Sequence, residues 1–147
     1  SCEVPTEMYT IPFGKAAIVR EGDDCTVVAF GQMVGRAAAA IDALAEEGIT
    51  CDLIDPRTSS PLDTASILES VEATGRLVVV DESPPRCGLT ADIAALAADR
   101  AFHALKGPIK QVCAPHSPTP FAPELEAAYL PDANKIMAAI RATSGLS

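Results

Sequence analysis

The sequence predicts an α/β protein with a mostly parallel sheet covered by helices on both faces. Three observations carry this. Short β-type runs alternate along the chain with segments of helical period. Several of those runs are continuously apolar, as strands buried on both faces are. The 147 residues, 48% of them hydrophobic and 21% charged, suit one domain with one sizeable core.

The elements follow in order. Residues 1–15 carry Pro5, Pro12 and Gly14, show no period, and read as an extended arm or linker. Ala16–Arg20 reads as a first strand, closed by the turn residues Glu21-Gly22-Asp23. Cys25–Phe30 (CTVVAF) is a buried strand. Val34, Ala37, Ala38, Ile41, Leu44 and Ala45 fall on one helical face, and Gly48 stops that helix. Ile49–Ile54 is the next strand. Ser60-Pro61-Leu62-Asp63 opens a helix bearing Ile67, Leu68 and Val71 and ending near Gly75. Arg76–Val80 is a buried strand. Ile93, Leu96, Ala97, Ala101, Ala104 and Leu105 predict a third helix, with Thr90 as its N-cap and Asp92 favourable in its first turn. Ile109–Cys113 is the last strand, and Asp132 caps a final helix bearing Ala133, Ile136, Met137 and Ile140.

Composition excludes several classes. The net charge of −9 argues against nucleic acid, because phosphate binding needs clustered Lys and Arg, and favours basic partners. Apolar runs such as Leu77–Val80 are far too short to span a bilayer, so no membrane role is expected. No basic-then-apolar leader opens the chain. Aromatics are 4% and Trp is absent, which disfavours a stacking platform. Cys2, Cys25, Cys51, Cys87 and Cys113 are odd in number and lack C-x-x-C spacing. They fit a reducing, cytoplasmic compartment and free thiols, with Cys25, Cys51 and Cys113 buried in strands. With two His and scattered Cys, a structural zinc site is not expected.

Four motifs offer chemistry, and none is complete. Gly31-Gln32-Met33-Val34-Gly35, followed by Asp55, imitates a dinucleotide-binding turn, but its spacing is G-x-x-x-G. It reads as a tight strand-to-helix turn or as a nucleotide site. Cys87, beside Arg86 and just before a helix, reads as an incidental loop thiol or as a nucleophile with His103 or His116 as base. Asp81-Glu82 ends a buried strand, where open α/β sheets place ligands, but adjacent strand residues point to opposite sides. One acid is expected to be solvated and the other paired with Arg57 or Arg86. The segment 115–123 has four prolines and reads as a stiff loop or a P-x-x-P ligand.

Taken together, VPTEMYTIPFGKAAIVREGDDCTVVAFG, CDLIDPRTSSPLD, ILESVEATGRLVVVDESPPRCG and APHSPTPFAPELEAAYLPD carry a family likeness. The chain resembles the C-terminal, transketolase-like domain of the beta subunit of thiamine-diphosphate-dependent 2-oxo acid dehydrogenases. Pro84-Pro85-Arg86-Cys87 and the run from Pro115 to Phe121 look most like acetoin dehydrogenase beta subunits rather than pyruvate or branched-chain ones. The family usually has Leu where Pro56 stands, and its glycine-rich stretch is reduced to Gly88.

The resemblance implies a three-layer α/β/α sandwich over residues 16–147, with a five-stranded sheet whose first strand runs antiparallel to the others. It also implies that the strand Cys25–Phe30 lies beside Arg76–Val80, making a crevice at their ends lined by Gly31–Gly35 and Asp81–Gly88. It implies no catalytic or cofactor-binding residue in this chain, since the family's catalytic His and its thiamine diphosphate and magnesium sites lie on another domain and on the alpha subunit. Assembly is the implied role: contacts to the alpha subunit and a second beta subunit in an alpha2beta2 heterotetramer, and to the basic subunit-binding domain of the acyltransferase core. Arg57, Glu82, Arg86 and His116 are the interface candidates. The alternative from the residues alone is a free-standing nucleotide- or small-molecule-binding domain. A Cys87-dependent hydrolase is the third reading.

Overall fold

The computed structural model describes residues 5–144. Five strands form one sheet in the order β1-β3-β2-β4-β5: β1 (Ala17–Arg20), β2 (Cys25–Ala29), β3 (Cys51–Asp55), β4 (Leu77–Val80) and β5 (Lys110–Val112). β1 runs antiparallel to β3, and every other pairing is parallel. The five-stranded sheet with one antiparallel edge strand therefore stands as expected.

Alternation along the strands divides the core in two. Val27, Leu53, Val78 and Val80 face α1 (Met33–Ala45) and α5 (Ala133–Ser144), where they pack on Ala37, Ile41, Leu44, Ile136 and Ile140. Val28, Ile54, Leu77 and Val79 face α2 (Thr64–Thr74) and α3 (Leu89–Arg100), meeting Ile67, Val71, Ile93 and Ala97. Each large side chain buried this way contributes about 1.5–3 kcal/mol. The small buried residues Ala37 and Ala40 let α1 lie close to the sheet.

The helix ends follow from local chemistry. Asp63 caps α2 by accepting the Ser66 N–H at 3.3 Å, and Gly75 ends it at φ +76, the left-handed region that glycine enters freely. Asp132 accepts the Lys135 N–H at 2.8 Å at the start of α5.

Three expectations need correction, and one helix is additional. Thr90 is not the cap of α3: Gly88 holds that position, and the buried Thr90 hydroxyl turns inward to Gln111 Oε1 and Cys113 Sγ. α3 stops at Arg100, so Ala101, Ala104 and Leu105 lie beyond it, and His103 sits in a one-turn 3-10 helix, Phe102–Ala104. Cys113 follows β5 and is only half-buried. A short helix, α4 (Pro123–Tyr129), stands between the proline-rich loop and α5. Cys2 lies outside the described residues.

β2 leads through α1 to β3 on one side, whereas β4 leads through α3 to β5 on the other. The connections diverge where β2 and β4 lie side by side, in register from Thr26↔Leu77 to Ala29↔Val80. Such a divergence opens a crevice at the carboxyl ends of the strands.

Candidate functional site

The loops leaving β2, β3 and β4 form a rim at that end of the sheet. After β2, Gly31 turns the chain at φ +54. The first amides of α1 are then taken up: Met33 N–H bonds Phe30 O at 2.9 Å and Val34 N–H bonds Gly31 O at 3.2 Å. Gly35 lies inside α1 and approaches nothing. This is a tight strand-to-helix turn, and its amides are not presented to a phosphate.

After β3, Asp55 accepts the Arg57 N–H at 3.0 Å, holding Arg57 at φ +58 with its side chain exposed. A non-glycine residue in that region costs of order 1–3 kcal/mol and is kept only where its surroundings fix it. Thr58 Oγ1 accepts the Gly14 N–H at 2.9 Å and donates to Pro61 O at 2.8 Å. Asp63 accepts the Ala16 N–H at 3.0 Å. These contacts tie the end of the N-terminal arm to the loop after β3. The arm's Met8, Tyr9, Ile11 and Phe13 remain exposed.

After β4, Asp81 is buried and closed on its own turn, accepting the Glu82 N–H at 2.8 Å and the Ser83 hydroxyl. Glu82 is exposed and accepts the Gln32 side-chain amide at 2.5 Å. The expected ion pair to Arg57 or Arg86 is absent among the described residues: Asp81 is satisfied by a backbone amide and a hydroxyl within its own turn. Arg86 and Cys87 are exposed, Cys87 at φ +56.

Two clefts open on this rim. One, of about 580 Å³, is lined by Ile11, Phe30, Gly31, Asp55, Arg57, Ser59 and Leu89. The other, of about 240 Å³, lies between α4 and the ends of β2 and β4. The predicted interface residues are thus distributed: Arg57 lines the first, Glu82 the second, and Arg86 and His116 stand exposed on neighbouring loops. Glu126, Tyr129 and Thr119, which also line the second cleft, were not singled out from the sequence. α4 carries too short and too exposed an apolar pattern to mark them.

Among the described residues no nucleophile–base pair is assembled around Cys87. Cys87 has no hydrogen bond to His103 or His116 among the described residues, and the length of α3 separates it from His103. Nor do three or more His, Cys, Asp or Glu side chains converge there as a metal would require. Thiamine diphosphate with its magnesium ion therefore does not fit the residues of this rim. No described helix is long and apolar enough to cross a membrane.

Fold and rim together define an α/β domain whose strand-end loops present polar groups outward instead of converging on a reacting atom. The chain belongs to the transketolase C-terminal domain family, whose model matches residues 14–136. It is 55% identical over 141 residues to the acetoin:2,6-dichlorophenolindophenol oxidoreductase subunit beta of Cupriavidus necator, covering 96% of this chain and 42% of that one. To the subunit of the same name from Bacillus subtilis it is 51% identical over 135 residues, covering 92% and 40%. The pyruvate dehydrogenase E1 component subunit beta of Bacillus subtilis is 40% identical over 139 residues, covering 95% and 42%. The chain thus spans about two fifths of the length of these relatives. A solved split-gene transketolase, an inactive beta4 tetramer, superposes with TM-score 0.83 at 26% identity, covering 94% of this chain and 45% of that one.

Proposed function

We propose that residues 16–147 are the C-terminal assembly domain of the beta subunit of a thiamine-diphosphate-dependent dehydrogenase of the acetoin type. The parent enzyme cleaves its substrate oxidatively and passes the acyl group to a lipoyl acyltransferase in the cytoplasm. Thiamine diphosphate and magnesium belong to the parent alpha2beta2 heterotetramer, and residues 1–15 link this domain to the preceding one. The strand-end rim meets neighbouring subunits through Arg57, Glu82, Arg86 and His116, and the acidic surface docks the basic subunit-binding domain of the acyltransferase core. The observation that carries this reading is the rim itself. It sets conformationally fixed loops beside Ile11, which lines the larger cleft and stays exposed, the mixture of polar groups and apolar anchors that a protein interface uses. The higher identity to two acetoin-type subunits than to the pyruvate-type one supports the substrate class.

The test is co-expression of the full-length beta subunit with its alpha subunit, with and without this domain, followed by sedimentation. The intact pair is expected to form alpha2beta2 and the truncated pair to fall apart into smaller species. A truncated pair that still forms a tight tetramer would defeat the proposal.

A further inference from the structure

The opposite end of the sheet, where the parallel strands begin, carries a patch of both charges around an exposed aromatic ring. From Arg100 to Pro123 this acidic chain has Arg100, Lys106 and Lys110 and no Asp or Glu. Arg100 ends α3, and Phe102 opens the 3-10 helix behind it. Lys106 follows, its N–H held by Gly75 O at 2.7 Å and its stem lying over Gly75. Gly75 caps α2, which packs against the 3-10 helix and carries Glu69 and Glu72. All of these charged side chains are exposed, and Phe102 is 74% exposed. Among the described residues Glu69, Glu72 and Lys106 form no ion pair, and Arg100 meets only its neighbour Asp99, at 4.0 Å. The two glutamates also suit their own helix poorly. They stand one turn apart in its carboxyl half, where like charges repel and cations are favoured, and no basic residue stands in the last turn.

We propose that this patch is a two-fold contact between two copies of this chain. Phe102 of each copy meets Phe102 of the other, and Glu69 and Glu72 of each face Arg100 and Lys106 of the other. A two-fold contact needs a surface that complements itself. Here both signs stand side by side, unanswered within one chain, around an aromatic side chain and an arginine, the residue types that dominate binding energy at interfaces. A wholly acidic or wholly basic partner would meet half of the patch with repulsion, and a second copy meets all of it with attraction. The contact lies at the other end of the sheet from the rim and does not depend on the assembly reading above.

The test is sedimentation of this chain from micromolar to millimolar concentration, at low and high salt, with thermal melting of each variant as the check on folding. Wild type should dimerise, and less tightly at high salt. Phe102→Ser should weaken the dimer about tenfold or more. Arg100→Glu with Lys106→Glu, and separately Glu69→Lys with Glu72→Lys, should each give a monomer, because each makes the patch one sign throughout and a two-fold axis doubles the repulsion. Mixed in equal amounts, these two variants should pair with each other. A wild-type chain that stays monomeric at every concentration overturns the proposal. So does a dimer that Phe102→Ser and both charge variants leave intact, and so does a mixture of the charge variants that stays monomeric. Should one charge variant melt early, Phe102→Ser and the other charge variant decide by the same criterion.

Discussion

The hydroxyl of Thr26 on β2 lies 2.6 Å from that of Ser70 and 2.9 Å from that of Thr74, both on α2. Thr26 is fully buried in a strand whose other residues are Cys, Val and Ala. Ser70 in turn donates to Asp52 Oδ2 at 2.5 Å, and Asp52 Oδ1 accepts the Gly22 N–H at 3.0 Å. One polar chain therefore runs from helix α2 through β2 and β3 to the turn before β2. It fixes the height of α2 on the sheet, which apolar packing alone leaves free to slide.

Thr26→Val is predicted to keep the volume and break this chain. Ser70 keeps Asp52, and Thr74 keeps Arg76 O, so neither hydroxyl is left wholly unpaired. The cost should fall at the lower end of the range for a disrupted buried hydrogen bond, about 1–2 kcal/mol. Urea unfolding of the isolated chain reads it, and an unchanged midpoint would show that the hydroxyls add nothing to packing.

Asp63 makes stability depend on acid. Its carboxyl is held below the usual carboxylate range, chiefly by the Ala16 N–H and then by the N–H and hydroxyl of Ser66, against the opposing effect of burial. A carboxyl depressed on folding stabilises fully above its unfolded value, near about 4, and that stability is lost as pH falls through the folded value. Asp63→Asn keeps one acceptor oxygen but presents an NH2 where the second oxygen accepts, so it should be less stable than wild type at pH 7 by about 1 kcal/mol, the net worth of one lost hydrogen bond. The gap should close as the pH falls through the folded value. Parallel stability curves at all pH values would show that the charge is immaterial.

Much of this fold is legible in the sequence because its signals are local. CTVVAF and LVVV are buried strands on apolar runs alone, and Gly48, Asp63, Gly75 and Asp132 mark helix ends by their own chemistry. What escaped depends on tertiary partners. Thr90 is the second residue of α3, two past the cap at Gly88, and only the arrival of Gln111 and Cys113 turns its hydroxyl inward. α4 begins on Pro123 and buries Tyr129 alone, so it shows no apolar stripe. The rim is legible residue by residue at Arg57 and Glu82. That Glu82 answers Gln32 fifty positions away, and not an arginine, is a property of the β2–β4 pairing.

Gly22 is predicted to tolerate no side chain. A Cβ built there would overlap the backbone of Thr50 and Cys51. The turn cannot retreat, because the Gly22 N–H is held by Asp52 and the Asp23 N–H by Thr50 Oγ1 at 3.2 Å. Gly22→Ala should cost more than about 3 kcal/mol, placing it in the severe tail of single substitutions. Soluble yield and melting temperature report it, and a variant within about 1 kcal/mol of wild type would mean that the β1–β2 turn moves freely.

The thiols provide the sharpest test of the core. Cys25 and Cys51 oppose each other at the start of β2 and β3, and both are fully buried. The Cys25 thiol is raised far above its ordinary range, first by its hydrogen bond with Cys51 and then by burial. Cys113 is raised too, mainly by burial, but is only half-covered, and Cys87 is exposed. With Cys2 replaced by Ser to simplify the count, a thiol reagent under native conditions should label Cys87 quickly, Cys113 slowly, and Cys25 and Cys51 only on unfolding. A thiol raised on folding contributes stability that is intact below its unfolded value, near about 8.5, and lost as pH climbs above it, because only the unfolded chain then ionises. Stability should accordingly decline above pH ~8.5, and Cys25→Ser with Cys51→Ser should remove much of that decline. Fast native labelling of Cys25 or Cys51 would mean that the β2–β3 pairing opens far below the global unfolding free energy, against the full burial of both thiols.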